Sequence, residues 1–132
     1  MADVDLEGVP LFEGLSEAER ARIAERMRTL DIPQGMSLID EGDLAYKFYV
    51  ILEGIVEVLH DGSHLALLGP GEFLGEHGIL AHQRRGADAV ALTPVRAAVA
   101  IGWDVREFME QHPIVRRRIL EADGNRSQTV AI

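Results

Sequence analysis

Residues 36–101 are cut by glycine into short apolar segments, and this punctuation constrains the fold more than any other feature of the chain. The segments read MSLID, KFYVILEG, IVEVLHDG and HLALLGPGEF. Residues 48–52 and 55–59 carry the β-branched and aromatic side chains that suit a pleated surface, so both are expected to be strands. Asp61-Gly62 follows the second of them and precedes the apolar residues 65–68. Such a pair predicts a two-residue hairpin, because both central positions of that turn take positive φ. Gly69-Pro70-Gly71 breaks the chain again. Residues 85–92 and 95–101 read as two further strands, parted at Thr93-Pro94.

Helical signals lie outside this stretch. Residues 14–29, GLSEAERARIAERMRT, predict a helix in which Ser16 and Glu19 form a capping box and Leu15, Ile23 and Met27 give a modest apolar stripe. In WDVREFMEQHP, Asp104 and Glu107 repeat the capping-box spacing, so a second helix is expected to start there. Pro113 suits the first turn of a third helix, IVRRRILEADG, expected to stop near Gly124. Helix, many short strands, then two helices predicts a mainly β fold, a closed or double-sheet β-roll flanked by helices.

At 132 residues the chain has room for one domain, placed at 1–126 with a tail at 127–132. Cysteine is absent, which excludes disulfides and thiolate metal sites. The opening MADVDLEGVP is acidic and lacks the apolar core of a secretory signal. No apolar run approaches the ~20 residues that span a bilayer, so a cytoplasmic protein without a membrane partner is expected. The net charge of −9, from 22 acids against 13 bases, argues against a module that holds nucleic acid by its phosphates. After Gly124 only NRSQTVAI follows, too short for a helix-turn-helix. With no cysteine, and no serine placed with a histidine and an acid, no catalytic role is expected. His60 and His64 flank the predicted hairpin turn while His77, His82 and His112 lie elsewhere, so no metal centre or other cofactor is expected. Arg116, Arg117 and Arg118 read as the solvated face of the last helix, with Arg117 or Leu120 as alternative candidates to cover a ligand.

The stretch FLGEHGILAHQRRGADA, residues 73–89, carries the chemistry. Gly75 and Gly78 let backbone amides approach a ligand closely, because no Cβ intervenes. Amides at the start of a helical turn suit a phosphate, and an arginine presents a planar fork that clasps two phosphate oxygens and stays ionised when partly buried. Glu76 against a phosphate would be repulsive. Facing a ribose hydroxyl, it supplies a wanted acceptor. Acid for the sugar and Arg85 for the phosphate is a consistent division of labour.

The run from Gly75-Glu76-His77-Gly78-Ile79-Leu80 to Arg85-Gly86-Ala87 resembles the phosphate-binding cassette of cyclic-nucleotide-binding domains. That family includes cyclic AMP receptor proteins and the regulatory subunits of cyclic-AMP-dependent kinase. LFEGLSEAERARIAERM, EGDLAYKFYVILEGIVEV and LGPGEFLGE resemble its opening helices, central strands and approach to the cassette, so the likeness covers roughly residues 10–120. It implies an eight-stranded antiparallel β-roll with an N-terminal helix and C-terminal helices. By resemblance, Glu76 accepts from the ribose 2′-hydroxyl and Arg85 pairs with the phosphate oxygens. Amides of Gly78 or Ile79, and of Gly86 and Ala87, cap the phosphate, while Leu74 and Val56 line sugar and base. The cassette runs on from Gly75 through His77. The ligand implied is cyclic AMP, or alternatively cyclic GMP. Gly86 lacks the threonine hydroxyl that cyclic-GMP-selective members use. Arg84 stands where proline is frequent, His77 and Gly78 replace an apolar residue and alanine, and Asp88 replaces threonine or serine. Strand alternation is expected to turn Asp88 away from the ligand. The output implied is movement of the C-terminal helices, felt by a protein partner or a second copy. A ligand-free interaction scaffold is the alternative.

Overall fold

A computed structural model of the chain describes residues 4–126; the predicted tail at 127–132 lies outside the described residues. A short 3-10 turn at Pro10–Phe12 precedes α1 (Glu17–Glu25). Eight strands follow: β1 (Arg28–Ile32), β2 (Ser37–Ile39), β3 (Lys47–Glu53), β4 (Val56–His60), β5 (Ser63–Leu68), β6 (Phe73–Leu74), β7 (Asp88–Ala91) and β8 (Val95–Ile101). A short helix α2 (Glu76–Ala81) sits between β6 and β7, and α3 (Gly102–Gln111) and α4 (Pro113–Arg126) close the described chain. The strands form two antiparallel four-stranded sheets, ordered β1-β8-β3-β6 and β2-β7-β4-β5. This is the eight-stranded roll flanked by helices that the sequence predicts.

The two central strands of the first sheet, β3 and β8, are buried on both faces over most of their length, which is why they read as near-continuous apolar runs, whereas β1 at the edge is partly exposed. In β3, Phe48 and Val50 pack toward the helices with Ile23, Ile79, Val105, Phe108 and Ile119, whereas Tyr49 and Ile51 point into the roll. β8 alternates likewise, with Ala98 and Ala100 outward and Ala97 and Val99 inward. The second sheet alternates between apolar interior and solvent: Val56 and Val58 are fully buried, while Glu57 and Leu59 on the other face are only partly covered. Truncating an interior residue such as Ile51 to alanine would cost about 2–5 kcal/mol, through lost transfer energy plus the cavity left behind.

The hairpin prediction is met residue for residue. Asp61 and Gly62 have φ of 50° and 78°, and His60 pairs with Ser63 across them. The first capping box is present too, with Ser16 Oγ accepting from the Glu19 amide at 3.1 Å and Glu19 Oε1 accepting from the Ser16 amide at 2.9 Å.

Several boundaries differ from expectation. The first helix ends at Glu25, not at residue 29, and the chain turns into β1, where residues 28–32 pair with β8. Tertiary pairing there overrides a weak helical preference. The second capping box does not form. The helix begins two residues earlier, after Ile101, with no side-chain cap, and Asp104 and Glu107 pair with Arg26 instead. The strand expected over 85–92 is confined to β7, because residues 85–87 belong to the loop that closes the cassette. The last helix runs through Gly124 to Arg126. Finally, Arg118 is not merely solvated, since it donates to the carbonyls of Leu11 and Glu13 at 3.1 and 2.6 Å. One junction matters later: β8 ends at Ile101 and α3 begins at Gly102, with no residue between them.

Candidate functional site

The residues singled out in 74–87 converge where β6, α2 and the segment before β7 meet the loop of residues 40–46. Gly75 caps α2 with φ of 100°, a left-handed conformation that other residues adopt only with strain. A Cβ there would stand 2.5 Å from the Lys47 carbonyl oxygen and 3.3 Å from Arg85 Nη2. A Cβ on Gly78 would collide with that of Ala45 and lie 3.0 Å from the Gln83 carbonyl. Both glycines therefore allow α2 to press against the 40–46 loop and the start of β3. Ala45 opposite Gly78 leaves no room for the methyl group of an alanine.

Glu76 is fully buried, and Arg85 is 5% exposed. Arg85 Nη1 donates to the Gly75 carbonyl at 2.8 Å, and Nη2 donates to the Lys47 carbonyl at 2.5 Å. Its backbone is pinned as well, the Arg85 amide donating to Asp43 O and its carbonyl accepting from Gly42 N, each at 2.8 Å. Burial pushes the guanidinium below its ordinary pKa, and Tyr49 and Glu76 partly offset this. It stays charged, because a guanidinium does not give up its proton in proteins. No carboxylate lies within 4.0 Å of Arg85 among the described residues, whereas Arg26 and Arg96 both have such partners. Two of its five N–H donors are used, both on backbone carbonyls, while Glu76 acts on the charge from beyond contact distance.

Leu74 and Val56 are fully buried in the roll interior, with Ala87 beside them in the same apolar cluster. His77 is turned the other way. Its Nδ1 lies 2.8 Å from Asp123 Oδ1 on α4. Ile79 packs under α3, among Val105 and Phe108. Arg106 of α3 donates to the Ile79 carbonyl at 2.7 Å, so α2 is tied to both C-terminal helices. Asp88 accepts from the Glu41 amide at 2.7 Å, which engages the side chain outside the cassette. Arg84 is exposed and donates to Gly42 O at 2.9 Å. Leu120 is partly exposed and Arg117 faces solvent.

Sequence reasoning missed the far side of Arg85. A cleft of about 140 Å³ reaches it, lined by residues that include Leu38, Asp43, Tyr46, Lys47 and Tyr49. Tyr49 donates to the Leu38 carbonyl at 2.9 Å, and burial raises its pKa while Arg85 opposes the rise. Alternation in FYVIL, which sends Tyr49 to the face opposite Phe48 and Val50, was the available signal. The Lys47 and Asp43 contacts are made by backbone atoms and leave no trace in residue type. A roomier groove of about 630 Å³ lies elsewhere, walled by Asp5, Glu7, Asp31 and Glu53. Its one arginine, Arg96, already bonds Asp31 at 3.0 Å, and the acids make it hostile to an anion.

A roll of two antiparallel sheets, with a short helix and a buried arginine framing two glycines, defines a class of small ligand-binding domains. The cyclic nucleotide-binding domain profile matches residues 29–112, and the chain belongs to that family. Among curated relatives, the cyclic AMP receptor protein of Thermus thermophilus is 32% identical over 131 residues, covering 89% of this chain and 61% of the relative. The cAMP-dependent protein kinase regulatory subunit of Aspergillus niger is 34% identical over 104 residues, covering 74% of this chain and 24% of the subunit. The chain thus spans about three-fifths of the first and about a quarter of the second. Among solved structures, the regulatory subunit of a cAMP-independent protein kinase A from Trypanosoma brucei superimposes with a TM-score of 0.80 at 26% identity, over 90% of this chain and 43% of that one. No helix among the described residues is long and apolar enough to cross a membrane.

Proposed function

We propose that this chain is a regulatory module that binds a cyclic nucleotide, cyclic AMP in preference to cyclic GMP, and carries no catalytic activity of its own. The observation that carries the reading is Arg85: a buried guanidinium with spare donors, held by carbonyls and by no carboxylate. A charge in that setting costs several kcal/mol to desolvate, and a monoanionic phosphate is the partner that would offset it.

In this reading Arg85 clasps the exocyclic phosphate oxygens. The amides of Gly78 or Ile79, and of Gly86 and Ala87, complete the cradle. Glu76 accepts from the ribose hydroxyl, and Leu74 and Val56 wall the sugar and base. The cleft of about 140 Å³ that reaches Arg85 lies below the ~300 Å³ at which pockets for whole small molecules begin, and Asp40 and Asp43 rather than the cassette amides line it, so binding is expected to involve movement of the cassette or the 40–46 loop. Ile79, the Arg106–Ile79 bond and the His77–Asp123 pair would pass that movement to α3 and α4. Signalling requires the nucleotide to prefer one arrangement of those helices, because equal affinity shifts nothing. The displaced helices would act on a protein partner or a second copy of the chain.

Thermal unfolding in the presence of cyclic AMP, cyclic GMP, linear AMP, adenosine and guanosine tests this. At about a hundred times its dissociation constant, a ligand specific to the folded state adds ~2.7 kcal/mol. For a domain of this size that is about 8–10 °C in melting temperature. Cyclic AMP is expected to give the largest shift. Equal shifts from adenosine would remove the phosphate from the argument. No shift from any nucleotide at millimolar concentration would leave the ligand-free scaffold.

A further inference from the structure

His60, at the end of β4, touches the cassette from outside. Its Nδ1 lies 2.6 Å from Glu41 Oε1 and 3.2 Å from the Gly86 carbonyl oxygen, while Nε2 lies 3.4 Å from Asp61 Oδ2. The polar atoms of Glu41, His60 and Asp61 all fall within 4.8 Å of one another. Oxygen atoms therefore face both ring nitrogens. A neutral imidazole has one N–H, which bridges Glu41 and Gly86 when it sits on Nδ1 and leaves them when it sits on Nε2 facing Asp61; the imidazolium carries both and keeps Nδ1–H in place.

We propose that protonated His60 is a positioning residue for the nucleotide site, clasping Gly86 of the cassette to Glu41 of the neighbouring loop, so that uptake of a proton strengthens cyclic nucleotide binding. The inference rests on the ligand reading above. Gly86 has no side chain to hold it in place, and the peptides on either side of it supply amides assigned to the phosphate. A donor on its carbonyl fixes the plane of the Gly86–Ala87 peptide, and with it the Ala87 amide. The Glu41 side of the clasp is braced independently, by the Asp88 carboxylate on the Glu41 amide at 2.7 Å and by Arg84 on Gly42 O at 2.9 Å. An imidazolium beside Gly86 also adds positive charge next to an incoming anion.

The charged groups around His60 favour its protonated form. Asp61 follows it in the turn, Glu41 faces it from the 40–46 loop, and Asp88 of β7 lies behind Glu41. Arg84 on the cassette side opposes them. His64 across the hairpin is occupied with Glu57 at 2.8 Å. The Glu41 hydrogen bond first, then the charges of Asp61 and Glu41, hold the His60 pKa above the ordinary imidazole value. The clasp is thus complete below about pH 6.5 and is weakened as pH rises through that higher folded-state value, where the charge is lost and the Nε2–H tautomer facing Asp61 competes. A cyclic phosphodiester keeps its single charge throughout, so the ligand contributes no titration of its own.

Calorimetric titration of the full chain with cyclic AMP between pH 6 and 8.5 tests the proposal. Affinity is expected to fall by about fivefold across that range, at the lower end of typical coupling between sites. His60→Gln should flatten the profile, Glu41→Gln should move its midpoint to lower pH, and His64→Gln should leave it as in the parent. In the nucleotide-free protein, the Gly86 and Ala87 amide resonances should move with the His60 ring titration. A profile unchanged by His60→Gln, or amides that ignore the ring, overturns the clasp while the ligand reading stands. Failure of cyclic AMP and cyclic GMP to bind at any pH overturns both.

Discussion

Arg26 and Arg85 both join segments far apart in sequence, yet they are satisfied in opposite ways. Arg26 leaves α1 and meets two carboxylates of α3, Asp104 and Glu107, each at 2.8 Å, with about half of its side chain in water. Arg85 lies inside the protein and meets only the carbonyls of Gly75 and Lys47. Exposed pairs of the first kind are electrically closed and contribute little. The second arrangement holds a charge where charge is costly, with no carboxylate in contact among the described residues, and such arrangements collect at functional sites. On the function proposed above, burial together with the kind of acceptor separates a structural arginine from a binding one.

That contrast can be broken by substitution. Arg85→Ala is expected to weaken cyclic AMP binding the most, by about a hundredfold, within the 2–5 kcal/mol that follows loss of one member of a buried charged contact. Calorimetry reads the affinity and circular dichroism checks that the variant is folded. Full affinity in this variant would erase the distinction. Gly75→Ala comes next. Its φ of 100° and the 2.5 Å approach to Lys47 O predict a loss of about 1–3 kcal/mol in urea unfolding, with weaker binding because Arg85 shares that carbonyl cage.

Ser16→Ala should cost about 1 kcal/mol and leave the affinity alone, since the capping box lies on α1. Hydrogen bonds from Ser16, backbone first, hold the Glu19 pKa below its ordinary value of 4.5. The cap's contribution is therefore present above that pH and lost as pH falls through the lower folded-state value. The difference between Glu19→Ala and the parent should narrow in acid. The smallest effect is expected from Arg26→Ala, a slight drop in melting temperature that shrinks further in salt, with nucleotide affinity unchanged. Loss of affinity there would mean that the α1–α3 link also supports the site.

How much could be read in advance follows the same division between local and distant causes. The Asp61-Gly62 turn and the Ser16–Glu19 box depend on neighbours within a few residues, and both stood in the sequence. Asp104 and Glu107 had the right spacing for a cap and were taken by Arg26, 78 and 81 residues away, which no local pattern reveals. Residues 26–29 continued a helical pattern until β8 claimed the next segment. At the site, Gly75, Glu76, Gly78 and Arg85 were legible because their chemistry resides in side-chain type. The Lys47, Asp43 and Gly42 contacts belong to peptide groups, and a peptide group is the same in every residue but proline.

The direct passage of β8 into α3 has a mechanical consequence. β8 lies between β1 and β3, its last residue Ile101 still pairs with Lys47 of β3, and Gly102, whose amide donates to the Tyr46 carbonyl at 2.8 Å, starts the helix at once. The axis of α3 is set by the sheet as a spoke is set by its hub. A displacement of α3 is therefore a pivot about Gly102, and the bend at His112-Pro113, where α4 departs, is a second joint that can add to it.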